Sequence, residues 1–178
     1  LAREILSGST VKACTVIGFP LGAEHAWLKR EQAWWALQKG ADELDMVVNL
    51  GAVKDGQLDV IKEEVSEVMG LKAHFDFVLK VIVETGLLTQ SELIAILRLL
   101  EELEVDFIKT STGINSRGAT IEDIYTICNN RKTQIKIKAS GGIKTLGFAR
   151  QLIAAGADRI GSSNALSLVM EEMAEKER

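Results

Sequence analysis

The sequence holds only two cysteines, Cys14 and Cys128, and only two histidines, His25 and His74. The cysteines make no CxxC pair and the histidines have no partner at ligand spacing, so neither a disulfide framework nor a zinc-type cluster is expected. Two lone cysteines in a chain of this size read as reduced thiols of a cytoplasmic protein. No apolar run approaches the ~18 residues of a membrane span, and Leu1-Ala2-Arg3-Glu4 does not have the shape of a signal peptide. Lysine and arginine form no run. At 21 basic against 25 acidic residues, the formal net charge of −4 argues against nucleic acid or an anionic membrane as the main partner. Low-complexity segments are absent, which excludes disorder. Absent too are a GxGxxG after the first strand-like run, a Walker loop and a GxSxG elbow, which removes the usual dinucleotide, nucleotide and serine-hydrolase signatures.

What is present is an apolar fraction of 47% in 178 residues. That is enough for one domain with its own core and too little for two ordinary ones. The apolar period alternates between strand and helix along the whole chain. Strands are predicted at Val11–Gly18, Asp42–Val48, Phe75–Val83, Val105–Lys109, Gln134–Ala139 and Arg159–Gly161. Helical spacing runs from about Glu24 to Lys39 and again through Leu58, Ile61, Val65, Val68 and Met69. Thr89-Gln90-Ser91-Glu92 is a capping-box pattern opening a helix lined by Leu93, Ile96, Leu97, Leu100 and Leu103. Further helices begin at about Thr120, Thr145 and Asn164.

Six strand–helix units in strict alternation imply an α/β fold with a parallel sheet. Asp42, Asp76, Asp106 and Asp158 recur near strand starts, so the pattern is also an internal repeat that must stack or close. A (β/α)8 TIM barrel is the better closure, although eight units are needed and six are visible. Trp27, Trp34 and Trp35 fall on one helical stripe, expected to pack that helix onto the barrel.

In a parallel barrel, chemistry sits at the C-terminal ends of the strands. The fourth predicted strand ends at Lys109-Thr110-Ser111-Thr112-Gly113 and the fifth at Lys138-Ala139-Ser140-Gly141-Gly142. Adjacent strands lie about 4.8 Å apart, so two inward lysines there crowd each other. Crowded cations lower a lysine pKa, and a neutral amine beside a second cation is a Schiff-base nucleophile. Asp45 is the natural third member, balancing the cations and relaying protons through water. Lys80 is more readily a structural counter-charge to Asp45. The turns Gly141-Gly142 and Gly161-Ser162-Ser163 suggest an anion site built from backbone N–H groups, with the serine hydroxyls as added donors.

Beyond these separate features, IKTSTG (Ile108 to Gly113), KASGGIKT (Lys138 to Thr145), GADELDMVVN (Gly40 to Asn49), LKVIVETG (Leu79 to Gly86) and GADRIGSS (Gly156 to Ser163) closely resemble the deoxyribose-phosphate aldolase family, in order and on the expected strands. The resemblance implies a class I aldolase on a (β/α)8 barrel. It assigns the Schiff base to Lys109, the neighbouring proton-transfer lysine to Lys138 and the proton relay to Asp45. Phosphate contacts fall on Gly113, Gly141, Gly142, Ser162 and Ser163, chiefly through main-chain N–H groups. The implied reaction is reversible cleavage of 2-deoxy-D-ribose 5-phosphate to acetaldehyde and D-glyceraldehyde 3-phosphate, with no metal and no organic cofactor. The implied partners are therefore a small sugar phosphate and aldehydes, with homo-oligomerisation left open.

Two departures stand out. Ile114 follows the glycine of IKTSTG where some members carry a lysine that helps hold phosphate. The resemblance also begins at the family's third strand, so residues 1–178 are expected to form a single TIM-barrel domain that is N-terminally incomplete by two β/α units, with open sheet edges. The alternatives are a Schiff-base aldolase for another sugar phosphate and an inactive barrel remnant serving as an assembly module.

Overall fold

The alternating segments become six parallel strands. In the computed structural model, which describes residues 1–177, these are β1 (Cys14–Ile17), β2 (Glu43–Val47), β3 (Val78–Ile82), β4 (Phe107–Lys109), β5 (Lys136–Ser140) and β6 (Arg159–Gly161). They lie in chain order in one sheet, each parallel to the next. The helices are α1 (Ala2–Ile5), α2 (Ala26–Gln38), α3 (Leu50–Lys54), α4 (Leu58–Met69), α5 (Gln90–Glu102), α6 (Ile121–Asn130), α7 (Leu146–Ala154) and α8 (Ala165–Lys176). The predicted capping box of α5 is present: Thr89 Oγ1 accepts from Glu92 N while the Glu92 carboxylate accepts from Thr89 N.

Period-2 alternation gives the sheet two unlike faces. Leu44, Met46, Leu79, Val81, Ile108, Ile137 and Ala139 point outward and are fully buried in one apolar cluster with Ile61, Val65, Ile96, Leu97, Ile124 and Leu152 of the helices. The opposite face carries Glu43, Asp45, Lys80, Lys109 and Lys138. The sheet curls over that face strongly enough for Arg159 of β6 to donate to Glu43 of β2 at 2.6 Å. Within the sheet, β1 and β6 each pair on one side only. Beside these edges, Val16 is 46% exposed, and Leu166, Val169, Met170 and Met173 form an exposed apolar stripe on α8.

The recurring aspartates have a shared task. Asp42 accepts from Ala13 N, Asp106 from Leu79 N and Asp158 from Ile137 N, each at 2.8 Å. A carboxylate just before one strand thus holds an amide in, or immediately before, the preceding strand. Asp76, the fourth in the sequence repeat, makes no such bond among the described residues.

Several expectations change. β1 begins at Cys14 and not Val11, β4 begins at Phe107 and not Val105, and β5 runs Lys136–Ser140 and not Gln134–Ala139. β3 begins at Val78 and not Phe75, because His74 and Phe75 N donate back to Leu71 O in the turn that closes the preceding helix. The tryptophans do not act together. The buried stripe of α2 is Ala26, Lys29, Ala33 and Leu37, so only Trp34 packs inward, edge-on to Phe75 at 5.1 Å between ring centroids. Trp27 and Trp35 are 59% and 62% exposed.

Candidate active site

Register brings the charged residues together. β4 pairs with β5 so that Lys109 lies directly beside Lys138, and β2 pairs with β3 so that Asp45 lies beside Lys80. All four side chains converge inside the curl. Lys109 Nζ and Lys138 Nζ each donate to the same oxygen, Asp45 Oδ2, at 2.7 Å. The two nitrogens are therefore no further apart than twice that distance. Lys80 Nζ holds the other oxygen, Oδ1, at 2.8 Å and reaches Glu43 at 2.7 Å. Lys80 is fully buried and fixes the carboxylate so that Oδ2 faces the two strand-end lysines.

The electrostatics follow from this geometry. Burial alone would raise the Asp45 pKa, but Lys109, Lys138 and Lys80 overcome it and hold the carboxyl well below the usual carboxylate range. The three ammonium groups thus favour the ionised form of Asp45. Burial pushes the Lys109 ammonium down from the ordinary lysine value; Asp45 partly offsets this and the Lys138 cation adds to the depression. Desolvation thus outweighs the cation crowding from which the sequence reading argued. Burial also opposes the Lys80 charge, yet Asp45 and Glu43 win and raise its pKa, so Lys80 is a fixed cation.

Lys109 and Lys138 open into a cavity of about 290 Å³. Its walls include every other residue singled out in the turns, namely Gly113, Gly141, Gly142, Ser162 and Ser163. Asp45 lies beneath the lysines and not on the wall. Gly113 and Gly141 both have positive φ (84° and 83°), and a Cβ on Gly141 would sit 3.0 Å from Gly118 Cα and 3.3 Å from Gly113 Cα. Only glycine lets these turns meet with that backbone shape. The Ser162 hydroxyl donates to Ile143 O at 2.6 Å, tying the turn after β6 to the turn after β5. The ends of β4 and β5 are tied by Ser140 Oγ donating to Ser111 O and Ser140 N donating to Thr110 Oγ1.

Sequence reasoning passed over several residues that the cavity uses. Thr112, Ser140, Ile143 and Lys144 also line it, beside Gly161 of the expected anion turn. Lys144 stands inside the KASGGIKT segment and adds a lysine side chain to the cavity wall. Among the described residues, no group of three or more histidine, cysteine or acidic side chains could hold a metal ion, and both cysteines are free. None of the helices is long and apolar enough to cross a membrane.

A primary amine lowered by burial, a carboxylate and a second lysine beside a small pocket with two glycine turns can hold a carbonyl compound covalently and an anion a short distance away. Comparison with known proteins points the same way. Deoxyribose-phosphate aldolase of Streptococcus gordonii is 42% identical over 98% of this chain and 78% of its own length. The solved structure of the aldolase QR15 superimposes with a TM-score of 0.89 at 43% identity, covering 94% of this chain and 75% of that one. The tetrameric deoxyribose phosphate aldolase of Aeropyrum pernix gives a TM-score of 0.86 at 32% identity, over 96% and 72%. Residues 16–167 match the sequence profile of the DeoC/LacD family aldolases, and on these grounds the chain belongs to that family of aldolases.

Proposed function

We propose that the chain cleaves 2-deoxy-D-ribose 5-phosphate reversibly to acetaldehyde and D-glyceraldehyde 3-phosphate, through a Schiff base on Lys109. The observation that carries this reading is the single oxygen Asp45 Oδ2, held at 2.7 Å by both Lys109 and Lys138 at the floor of the glycine-walled cavity. The free Lys109 amine adds to the C1 aldehyde of the open-chain sugar, and loss of water leaves an iminium ion. A proton leaves the C3 hydroxyl and the C2–C3 bond breaks. The bonding pair runs into the iminium, giving an enamine and free glyceraldehyde 3-phosphate. Protonation at C2 and hydrolysis then release acetaldehyde and restore the amine. Lys138 and the Asp45 carboxylate, with water between them and the substrate, move the protons.

The phosphate is received by the turns at Gly113, Gly141, Gly142, Ser162 and Ser163, chiefly through backbone N–H groups, with Lys144 near the rim. The route requires no metal and no organic cofactor. In the same reading the strands form one barrel domain of the (β/α)8 kind, whose closure takes two further strands between β6 and β1. The unpaired edges and the bare α8 stripe support that closure. Deoxyribose phosphate catabolism in the cytoplasm and homo-oligomerisation, as in the tetrameric relative, belong to the proposal as well.

Incubation with acetaldehyde and borohydride, followed by peptide mass analysis, tests the covalent step. The expected result is a permanent ethyl group on Lys109. Labelling that instead falls on Lys138, or is absent from folded protein, overturns the assignment.

A further inference from the structure

The segment Glu84-Thr85-Gly86 follows β3 and takes no part in the chemistry proposed above, yet its geometry is unusual. Glu84 is fully buried and has left-handed backbone angles, φ 54° and ψ 61°, which a residue with a Cβ rarely adopts. Such conformations are costly and persist where the surroundings enforce them. Here the carboxylate is aimed at the loop that follows β4. Oε2 accepts from Thr112 N at 3.0 Å and from Thr112 Oγ1 at 2.6 Å, and Oε1 accepts from Ser116 Oγ at 2.7 Å. Thr112 Oγ1 in turn accepts from Ile114 N and Asn115 N. One side chain thus organises residues 112–116, the stretch that presents Gly113 to the cavity.

The neighbouring glycines make this clamp two-sided. A Cβ on Gly86 would lie 2.4 Å from Ser116 Oγ, and one on Gly118 would lie 2.0 Å from Gly141 O. The loop is therefore pressed against the end of β3 on one side and against the Gly141-Gly142 turn on the other. Its Glu84 partners are all neutral donors, so what the carboxylate supplies is acceptors at fixed positions and no ion pair.

We propose that Glu84 is the positioning residue of the phosphate subsite, holding the 112–116 loop so that the Gly113 and Gly141 turns together receive the phosphate group. This rests on reading those turns as the phosphate site. Glutamine at position 84 keeps the role, because its oxygen can accept from Thr112 while its amide donates to Ser116 Oγ, whose own proton then turns to Arg117 O, already 3.2 Å away. Alanine abolishes it, leaving the Thr112 and Ser116 donors without their acceptor.

The test uses the full chain with two probes: inorganic phosphate, followed by amide shifts in NMR spectra, and acetaldehyde–borohydride labelling of Lys109. In the unsubstituted protein, phosphate shifts the amides of Gly113, Gly141 and Gly142. Glu84→Ala weakens phosphate binding by about tenfold or more, the scale of one or two lost hydrogen bonds, while labelling of Lys109 by the phosphate-free aldehyde stays within about twofold. Glu84→Gln restores binding to within about threefold. Thr112→Val, which keeps the Thr112 N–H bond to Glu84 but removes the hydroxyl that donates to Glu84 and accepts from Ile114 and Asn115, weakens binding by a smaller factor and serves if the alanine variant fails to fold. Undiminished phosphate binding in Glu84→Ala, or in Thr112→Val where that is the variant measured, overturns the proposal. So does parallel loss of binding and labelling that glutamine does not restore, which would mark Glu84 as a general structural prop. Failure of the subsite reading looks different: the unsubstituted protein would then show no phosphate-dependent shift at these amides, whatever stands at position 84.

Discussion

The chain buries lysine nitrogen against carboxylate in two places, and the two differ in what surrounds them. Between α2 and α4, Lys29 meets Glu64 and the carbonyl of Val47, with both side chains sealed. Inside the curl, Asp45 meets Lys80, Lys109 and Lys138. Burial is the largest influence on both Lys29 and Lys109, and it lowers both. A depressed lysine is therefore no mark of chemistry by itself. Lys29 is sealed among the Glu64 and Glu24 carboxylates and the Val47 carbonyl, whereas Lys109 faces an excess of cations and an open cavity. Access, with a neighbour able to move protons, is what the proposed Schiff-base amine has and the structural one lacks.

The sharpest way to break that contrast is to exchange the outcomes. Lys109→Ala is expected to abolish acetaldehyde–borohydride labelling and turnover, while Lys29→Met leaves the label on Lys109 in place. Labelling that survives the first change, or vanishes from a folded Lys29→Met protein, removes the distinction.

Lys138→Leu comes next, with turnover expected to fall by roughly 10²–10⁴ as proton transfer is lost. It also bears on pH. Because the Lys109 pKa is depressed, the free amine and the labelling rate rise with pH and level off below the pH at which an ordinary lysine titrates. Removing the Lys138 cation takes away one depressing influence, so the rising limb moves to higher pH. It stays below the ordinary value, because burial is the larger cause. A limb that does not move would assign the whole depression to desolvation.

Smaller effects are expected at the sealed pair. Lys29→Met strands the Glu64 carboxylate and costs about 3–5 kcal/mol in denaturant unfolding. Pairing it with Glu64→Gln recovers most of that loss. The glutamine oxygen still accepts from Asn49 N, now 2.8 Å from Glu64 Oε1, and its amide reaches the Val47 carbonyl that Lys29 vacates. No recovery in the double variant would mean that the ion pair contributes specifically, and that the two lysine clusters resemble each other more than the contrast allows.

Much of this was legible before any coordinates. The strand–helix alternation gave the parallel order, because period-2 and period-3.6 patterns report which faces are dry. With it came the pairing of Lys109 with Lys138, since both occupy inward positions near the ends of adjacent strands. The cavity walls followed from glycine turns at strand ends. What stayed hidden depends on orientation about an axis or on contacts distant in sequence. Nothing in the spacing of Trp27, Trp34 and Trp35 says that Ala26, Lys29, Ala33 and Leu37 claim the inward stripe. The bond from Glu84 to Thr112 spans 28 residues and needs a left-handed backbone at Glu84, which no local pattern announces for glutamate. Lys144 was in view within its motif, but only the curvature of the turn carries it to the cavity wall.

The aspartates that precede β2, β4 and β6 stitch the sheet along the rim opposite the lysines. The molecule keeps its fastenings at one end and its lysine cluster and cavity at the other. On the proposed function, substitution in the loops of the cavity end retunes which aldehydes are accepted without unpicking the hem that keeps the strands in step.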